Sequence, residues 1–275
     1  MIKLIAAMDN SGGSTPSTLA RYGLKNTVLL NYTKDNMMDL IHDMRIRMIN
    51  TPAFNGDNIG AAILFKDSVD RGIIPSLHKK KVKTFLKIDS GCEENGMLKK
   101  INLDEMINYA INNKCYGTKM RSIVYNIDMI DSVLEQQFSL AKKISKKGLI
   151  PIIEPEVPID LHNKEDVELA LNDSLHNYKL DNNTKIIFKL TPPEIPNLYY
   201  DLSLQPYVLE TFFLSGGYSL SEACYRLSLN KNIGASFSRA LTEGLKYDQT
   251  DHQFKDKFYK NVIAIRDASL QKKIF

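Results

Sequence analysis

The chain has little cysteine: Cys92, Cys115 and Cys224 are its only three, and none stands in a CxxC pair. That spacing supports neither a disulfide framework nor a thiolate metal site, and it fits a reducing cytoplasm. The five histidines (His42, His78, His162, His176 and His252) are dispersed without HxxxH or HxH spacing, so no transition-metal ligand pattern is present. Long hydrophobic runs are missing too. Met1 to Ala7 gives way to polar residues before a signal peptide or membrane span could be completed. Nor does one charge dominate: 36 basic against 32 acidic residues leave +4. The runs Lys79-Lys80-Lys81 and Lys99-Lys100 read as solvated faces, which argues against nucleic acid as the main partner.

At 275 residues and 43% hydrophobic, with no obvious linker, the chain is expected to form one domain over 1–275. Apolar, β-favouring runs occur at 2–9, 59–65, 84–89, 116–121, 149–157, 186–191, 208–214 and 234–239. Helical stretches lie between them at 35–49, 102–113, 128–147, 163–178 and 219–229, with a short helix from Asn197 and a last one over 254–270. Gly148 is the expected stop of the clearest helix, and Ser219-Leu220-Ser221-Glu222 reads as a capping box. Strands alternating with helices throughout imply parallel βαβ units, and about eight of them close into an α/β fold of the (β/α)8 TIM-barrel type. An open doubly wound sheet is the alternative. It is disfavoured because only Ser11-Gly12-Gly13-Ser14, and no GxGxxG, follows the first strand.

Chemistry in a barrel collects at the carboxyl ends of the strands. Here those ends carry Asp9, Lys87 and Asp89, Lys119 and Arg121, Glu154 and Glu156, Lys189, Ser215, and Ser238 with Arg239. Three of the pairs are spaced by two, which points both members of each into the barrel mouth as a ring of alternating charge. Lys189 is the most unusual. It lies in Ile186-Ile187-Phe188-Lys189-Leu190-Thr191, a run that reads as a strand buried on both faces, where an ammonium is costly unless paired or neutral. Burial, helped by a nearby positive charge such as Lys119, is expected to favour the neutral amine that attacks a carbonyl to form a Schiff base. A neighbouring carboxyl would serve as acid and base for the carbinolamine. Ser215-Gly216-Gly217, Arg239 and Lys87, with Ser11-Gly12-Gly13-Ser14 across the mouth, suggest a ligand carrying a phosphate at each end.

The stretches AAMDNSGGSTP (6–16), HDMRIRM (42–48), FLKIDSG (85–91), GTKMRS (117–122), GLIPIIEPEV (148–157), KLTPPEIPNLY (189–199), FLSGGYS (213–219) and ASFSRAL (235–241) span nearly the whole chain in order. In them the sequence resembles class I fructose-1,6-bisphosphate aldolases, closest to the short bacterial, Staphylococcus-like branch. The resemblance implies a cytoplasmic glycolytic enzyme that needs no metal or other cofactor. It makes Lys189 the Schiff-base lysine, Glu154 the general acid/base, Asp9 the acceptor of the C4 hydroxyl proton, and Lys119 a neighbour of the reacting carbons. It gives Lys87, Ser11 and Ser14 the C6 phosphate, and Ser215, Gly216 and Arg239 the C1 phosphate, with Ser238 at the same strand end and Arg121 as an orienting cation. Asn10 and Ser90 depart from animal members, which carry glutamate and lysine there. The tail Gln271-Lys272-Lys273-Ile274-Phe275 lacks the terminal tyrosine that those enzymes use to move a proton on the enamine.

The implied partner is a sugar bisphosphate, with neither nucleic acid nor membrane. Sedoheptulose 1,7-bisphosphate and tagatose 1,6-bisphosphate are alternative substrates for the same mechanism. A non-catalytic sugar-phosphate-binding barrel is the alternative of another class, and retention of Lys189, Glu154, Asp9 and Lys119 together argues against it. An Mg²⁺ enzyme built on Asp89, Glu154 and Glu156 is disfavoured because the interleaved lysines would repel a dication.

Overall fold

The structure, a computed structural model, describes residues 4–10, 14–24, 31–180 and 183–271. Among these residues eight strands close into a barrel in sequence order: β1 (Leu4–Met8), β2 (Ala61–Leu64), β3 (Lys83–Lys87), β4 (Gly117–Ile123), β5 (Ile150–Glu156), β6 (Ile186–Leu190), β7 (Val208–Phe213) and β8 (Ile233–Phe237). Each neighbouring pair is parallel, including the closure of β1 on β8. Outside lie α1 (Thr15–Arg21), α2 (Lys34–Ile49), α3 (Lys66–Asp70), α4 (Ile74–Lys79), α5 (Leu103–Asn112), α6 (Ile130–Ser145), α7 (Lys164–Asn177), α8 (Leu220–Ser228) and α9 (Asp251–Leu270). This is the TIM barrel expected from the alternation of patterns.

The two-residue period of each strand divides the core in two. Outward side chains such as Met8, Leu86, Ile153, Phe188 and Phe213 pack with the helices in one large cluster. Inward ones, Ile5, Ala7, Ala61, Ile63, Phe85, Ile152, Ile187 and Phe212, form a separate apolar plug inside the barrel. This explains why β6 reads as an unbroken apolar run: both of its faces are covered. Lys189 is the inward residue directly above Ile187 and lies in register with Phe212 of β7, so its stem stands on that plug. Gly117 belongs to the same interior. A Cβ there would lie 1.9 Å from the Ile150 carbonyl oxygen and 2.8 Å from the Phe85 ring, which already fills the space.

Several local readings change. α1 was not anticipated, and the basic segment before β3 folds into α3 and α4, each too short to show a helical period. The expected helix from Asn197 is a series of turns with one 3-10 turn at Leu202–Leu204. Ser219 does cap α8, its hydroxyl accepting from the Glu222 N–H, but the reciprocal half of the box is absent because the Glu222 carboxylate turns to Arg226 at 2.7 Å. A complete capping box instead opens α9, where Thr250 and Gln253 satisfy each other's backbone N–H. Gly148, at φ +82°, follows α6 as expected.

The paired register of β5 with β6 runs through Ile152↔Ile187 and Ile153↔Phe188. Above it Pro155 has no N–H to donate. The Thr191 hydroxyl holds the two strand ends together there, accepting from the Val157 N–H at 3.0 Å and donating to the Val157 carbonyl at 2.8 Å. Just beyond, the buried Lys164 ammonium donates to the Pro192 carbonyl at 2.9 Å. Replacing Thr191 by Val keeps the shape but leaves a buried N–H and carbonyl unpaired, so it should cost about 1–3 kcal/mol in a urea unfolding curve, with Thr191→Ser recovering most of the loss. An unchanged midpoint for Thr191→Val would show that the strand ends do not need this clamp.

Candidate active site

At the carboxyl ends of the strands a cavity of about 460 Å³ is lined by Asp9, Ser14, Lys87, Arg121, Glu154, Glu156, Lys189, Ser215, Gly216, Ser238 and Arg239. The sequence named every one of these. Ser11, the remaining expected wall residue, lies outside the described residues. Lys119 is not in the wall: it is buried and meets the cavity through its two carboxylate partners. Ser238 and Arg239 sit just past β8, which ends at Phe237, and not within it. A second cavity of about 420 Å³ opens at the opposite, amino end of the barrel and holds none of these residues.

The reactive layer is a line of four charges. Asp9 accepts a hydrogen bond from Lys119 at 2.8 Å. The Lys119 ammonium also lies 2.8 Å from Glu154 Oε2, and Glu154 Oε1 lies 2.7 Å from the Lys189 ammonium. Lys119, Glu154 and Lys189 are each no more than 5% exposed. Two carboxylates alternating with two ammoniums give a neutral set, the condition under which buried charges are tolerable. Burial alone would raise the carboxyl pKa of Asp9. Lys119, Lys189 and Lys87 outweigh it and hold the group well below the carboxylate range. Glu154 is likewise held low: burial opposes, and Lys119, Lys189 and Arg121 prevail. Lys119 is driven the other way, burial being overcome by Asp9, Glu154 and Asp89, so it stays charged. One expectation needs correction here. Lys119 was to act on Lys189 as a bare neighbouring cation, but the Glu154 carboxylate stands between the two amines.

Two residues above this line, Glu156 pairs with Arg121 at 3.1 Å. Burial dominates at Glu156 and raises its pKa despite Arg121, so of the two glutamates of β5 it takes up a proton more readily. Asp89 is buried and braces the rim. One oxygen accepts from the Gly91 N–H at 3.1 Å and lies 3.5 Å from the Lys87 ammonium, and the other accepts from the Arg121 N–H at 3.2 Å. On the far side, Gly216 and Gly217 have φ of +57° and +124°, a backbone open to glycine, and a Cβ on Gly217 would lie 3.3 Å from the Arg239 guanidinium. Arg239 therefore lies along the Ser215-Gly216-Gly217 loop.

Sequence reasoning missed three further residues. Ser236 lines the cavity with a buried hydroxyl that has no partner among the described residues. The two-residue spacing applied to β3, β4 and β5 would have found it, two positions before Ser238. Arg45 of α2, fully buried, donates to the Asn10 carbonyl at 2.7 Å and to the Ser68 hydroxyl at 2.6 Å, fixing the backbone beside Asp9. Burial lowers its pKa to about 10, with Asp9 and Asp67 opposing. The helical spacing of Met38, Ile41 and Met48 within 35–49 admits either Met44 or Arg45 on the inner face, so it does not single out Arg45. Arg21 of α1 also reaches the cavity, on a helix that the sequence pattern did not show.

No family model matches the chain. A protein of Clostridium acetobutylicum named fructose-bisphosphate aldolase class 1 is 45% identical over 282 aligned residues, which cover 97% of this chain and 95% of that protein. Among solved structures, an archaeal fructose 1,6-bisphosphate aldolase matches 98% of this chain and 93% of its own with a TM-score of 0.57 at 10% identity. A second, an archaeal aldolase whose catalytic lysine is covalently bound to the carbinolamine intermediate of its substrate, matches 96% and 94% with a TM-score of 0.53 at 11% identity. At such low identity these two bear on the fold alone. The kinship with the Clostridium protein is close and end to end, and with it the chain belongs to the class I fructose-bisphosphate aldolases.

Proposed function

We propose that the protein cleaves fructose 1,6-bisphosphate reversibly to dihydroxyacetone phosphate and glyceraldehyde 3-phosphate, the aldol step of glycolysis and gluconeogenesis, through a Schiff base on Lys189. The observation that carries the reading is the buried Lys189 amine, 2.7 Å from Glu154 in a neutral chain of charges at the floor of a cation-rimmed cavity. Glu154 Oε1 is placed to take the lysine proton. The freed amine attacks the C2 ketone, giving a carbinolamine, and Glu154 returns the proton to the departing hydroxyl as water leaves and the iminium forms. Asp9, kept ionised by Lys119, then accepts the C4 hydroxyl proton. The C3–C4 bond breaks, its electron pair flows into the iminium, and glyceraldehyde 3-phosphate leaves an enamine on Lys189. Protonation of that enamine at C3 and hydrolysis release dihydroxyacetone phosphate.

The rim supplies the ends of the substrate. Lys87 and Ser14 face the C6 phosphate, and Arg239 with the Ser215-Gly216 loop faces the C1 phosphate, where backbone and guanidinium donors suit an anion. The electron sink is covalent, which is the role a Lewis-acid metal plays in the other aldolase class. A dication in this layer would meet Lys119 and Lys189 at the carboxylate it needs. Three free thiols fit a cytoplasmic setting.

Borohydride added during incubation with dihydroxyacetone phosphate should leave a single reduced adduct, found by peptide mass spectrometry on Lys189. Lys189→Ala should abolish adduct and turnover, and Glu154→Gln should slow turnover by roughly a hundredfold or more with the fold retained. An adduct on Lys87 or Lys119 instead would reassign the nucleophile. Fructose 1,6-bisphosphate cleavage should also be unchanged after dialysis against EDTA. Loss of turnover that added zinc or magnesium restores would falsify the Schiff-base reading.

A further inference from the structure

Three guanidiniums face this cavity; Arg121 pairs with Glu156, and the other two are Arg239 after β8 and Arg21 at the end of α1. Among the described residues neither forms an ion pair. Among the same residues the Arg21 side chain donates to the Thr18 hydroxyl alone, at 3.2 Å on its own helix, and the Arg239 side chain has no hydrogen-bond partner. The backbone around Arg21 is anchored from outside, with Lys246 donating to its carbonyl at 2.8 Å. Elsewhere in the mouth every cation has a carboxylate beside it: Lys87 has Asp89, Arg121 has Glu156, and Lys189 has Glu154. The two arginines instead feel each other. Burial lowers the pKa of Arg21, and Arg239 lowers it further. Like charges gathered at a polar cavity without an acid between them are stabilised by a polyanion that bridges or neutralises them. Arg239 lies along the Gly217 loop, on the side given to the C1 phosphate, whereas Arg21 shares α1 and the residue before it with the hydroxyls of Ser14 and Ser17 that line the same cavity.

We propose that Arg21 is a substrate-binding cation for the C6 phosphate, working with Ser14 and making the enzyme selective for a bisphosphate over a sugar phosphorylated at C1 alone. The proposal rests on the aldolase reading above. A guanidinium held by Thr18 can present two N–H donors to phosphate oxygens, a fork that a lysine ammonium cannot reproduce. The motif resemblance assigns no role to this position, and the short α1 gave no sequence signal to find it.

The experiment compares steady-state cleavage of fructose 1,6-bisphosphate with that of fructose 1-phosphate, which has no C6 phosphate, in the unmutated enzyme, Arg21→Ala and Arg21→Lys. Loss of a charge-assisted contact should raise KM for the bisphosphate by roughly tenfold to a hundredfold in Arg21→Ala, with the preference for bisphosphate over monophosphate falling by the same factor. Arg21→Lys should recover part of it. A structural defect would lower both activities together and leave the preference unmoved. An unchanged KM for the bisphosphate, or equal losses on the two substrates, overturns the assignment. Failure of the unmutated enzyme to cleave fructose 1,6-bisphosphate overturns the aldolase reading itself, and does so before any variant is measured.

Discussion

The Glu154 carboxylate, set between two ammonium groups, is the constraint on which the rest of the site depends. Without it, Lys119 would keep only Asp9, and Lys189 would be a buried cation with no carboxylate beside it above an apolar plug, at a desolvation cost of several kcal/mol. With it, and with Asp9 at the other end, the four charges sum to zero and each has an opposite neighbour within 2.8 Å. The same contacts that make the arrangement tolerable make it reactive. The carboxylate that neutralises Lys189 is also the nearest place for the lysine's proton to go. The plug below, with Phe212 beside Lys189 and Ile152 beneath Glu154, keeps water from one side, so these interactions act at full strength.

The barrel supplies the spacing. Inward side chains recur every two residues, about 6.5 Å along a strand, and neighbouring strands run about 4.8 Å apart, so charged residues on β4, β5 and β6 meet only if the registers are right. The β4–β5 ladder is paired from Gly117↔Ile150 to Ile123↔Glu156 and fixes Arg121 opposite Glu154. The β5–β6 ladder is shorter, and side chains finish it: Thr191 on Val157, and Lys164 on the Pro192 carbonyl. Gln137 of α6 adds a buried bond to the Ser122 hydroxyl at 2.9 Å, tying the outer helix to the wall that carries Lys119 and Arg121.

Much of this was legible in the sequence, for a physical reason. Barrel strands are covered on both faces, so they appear as apolar runs, and a charge within such a run is conspicuous. That made Lys189, Glu154 and the paired residues of β3 and β4 readable before any contact was known. What the pattern hid was of three kinds. Helices of five to seven residues such as α1, α3 and α4 make too few turns to show a period. A neutral inward residue such as Ser236 carries no charge to draw attention to it, and only its spacing of two from Ser238 marks it. The order of charges in space also depends on which strand-end side chains are long enough to meet, so a ring of alternating charge could be foreseen but not the place of Glu154 between the lysines. Arg45 shows the limit best, since a helical period that accommodates either Met44 or Arg45 does not say that both are buried.

The division of the interior into an apolar plug and a charged layer above it separates two kinds of evolutionary freedom. Below, Phe85 occupies the space left by Gly117, and changes there trade one hydrocarbon shape for another. Above, the bond-breaking groups are locked to one another by charge, and altering one unbalances its neighbours. Arg21 belongs to neither layer. It sits at the end of a short outer helix, so a lineage could lengthen, remove or re-aim it while leaving the reactive groups untouched. Divergence toward sugars of other chain lengths has its easiest route through such attachments, with one chemistry retained on an unchanging floor.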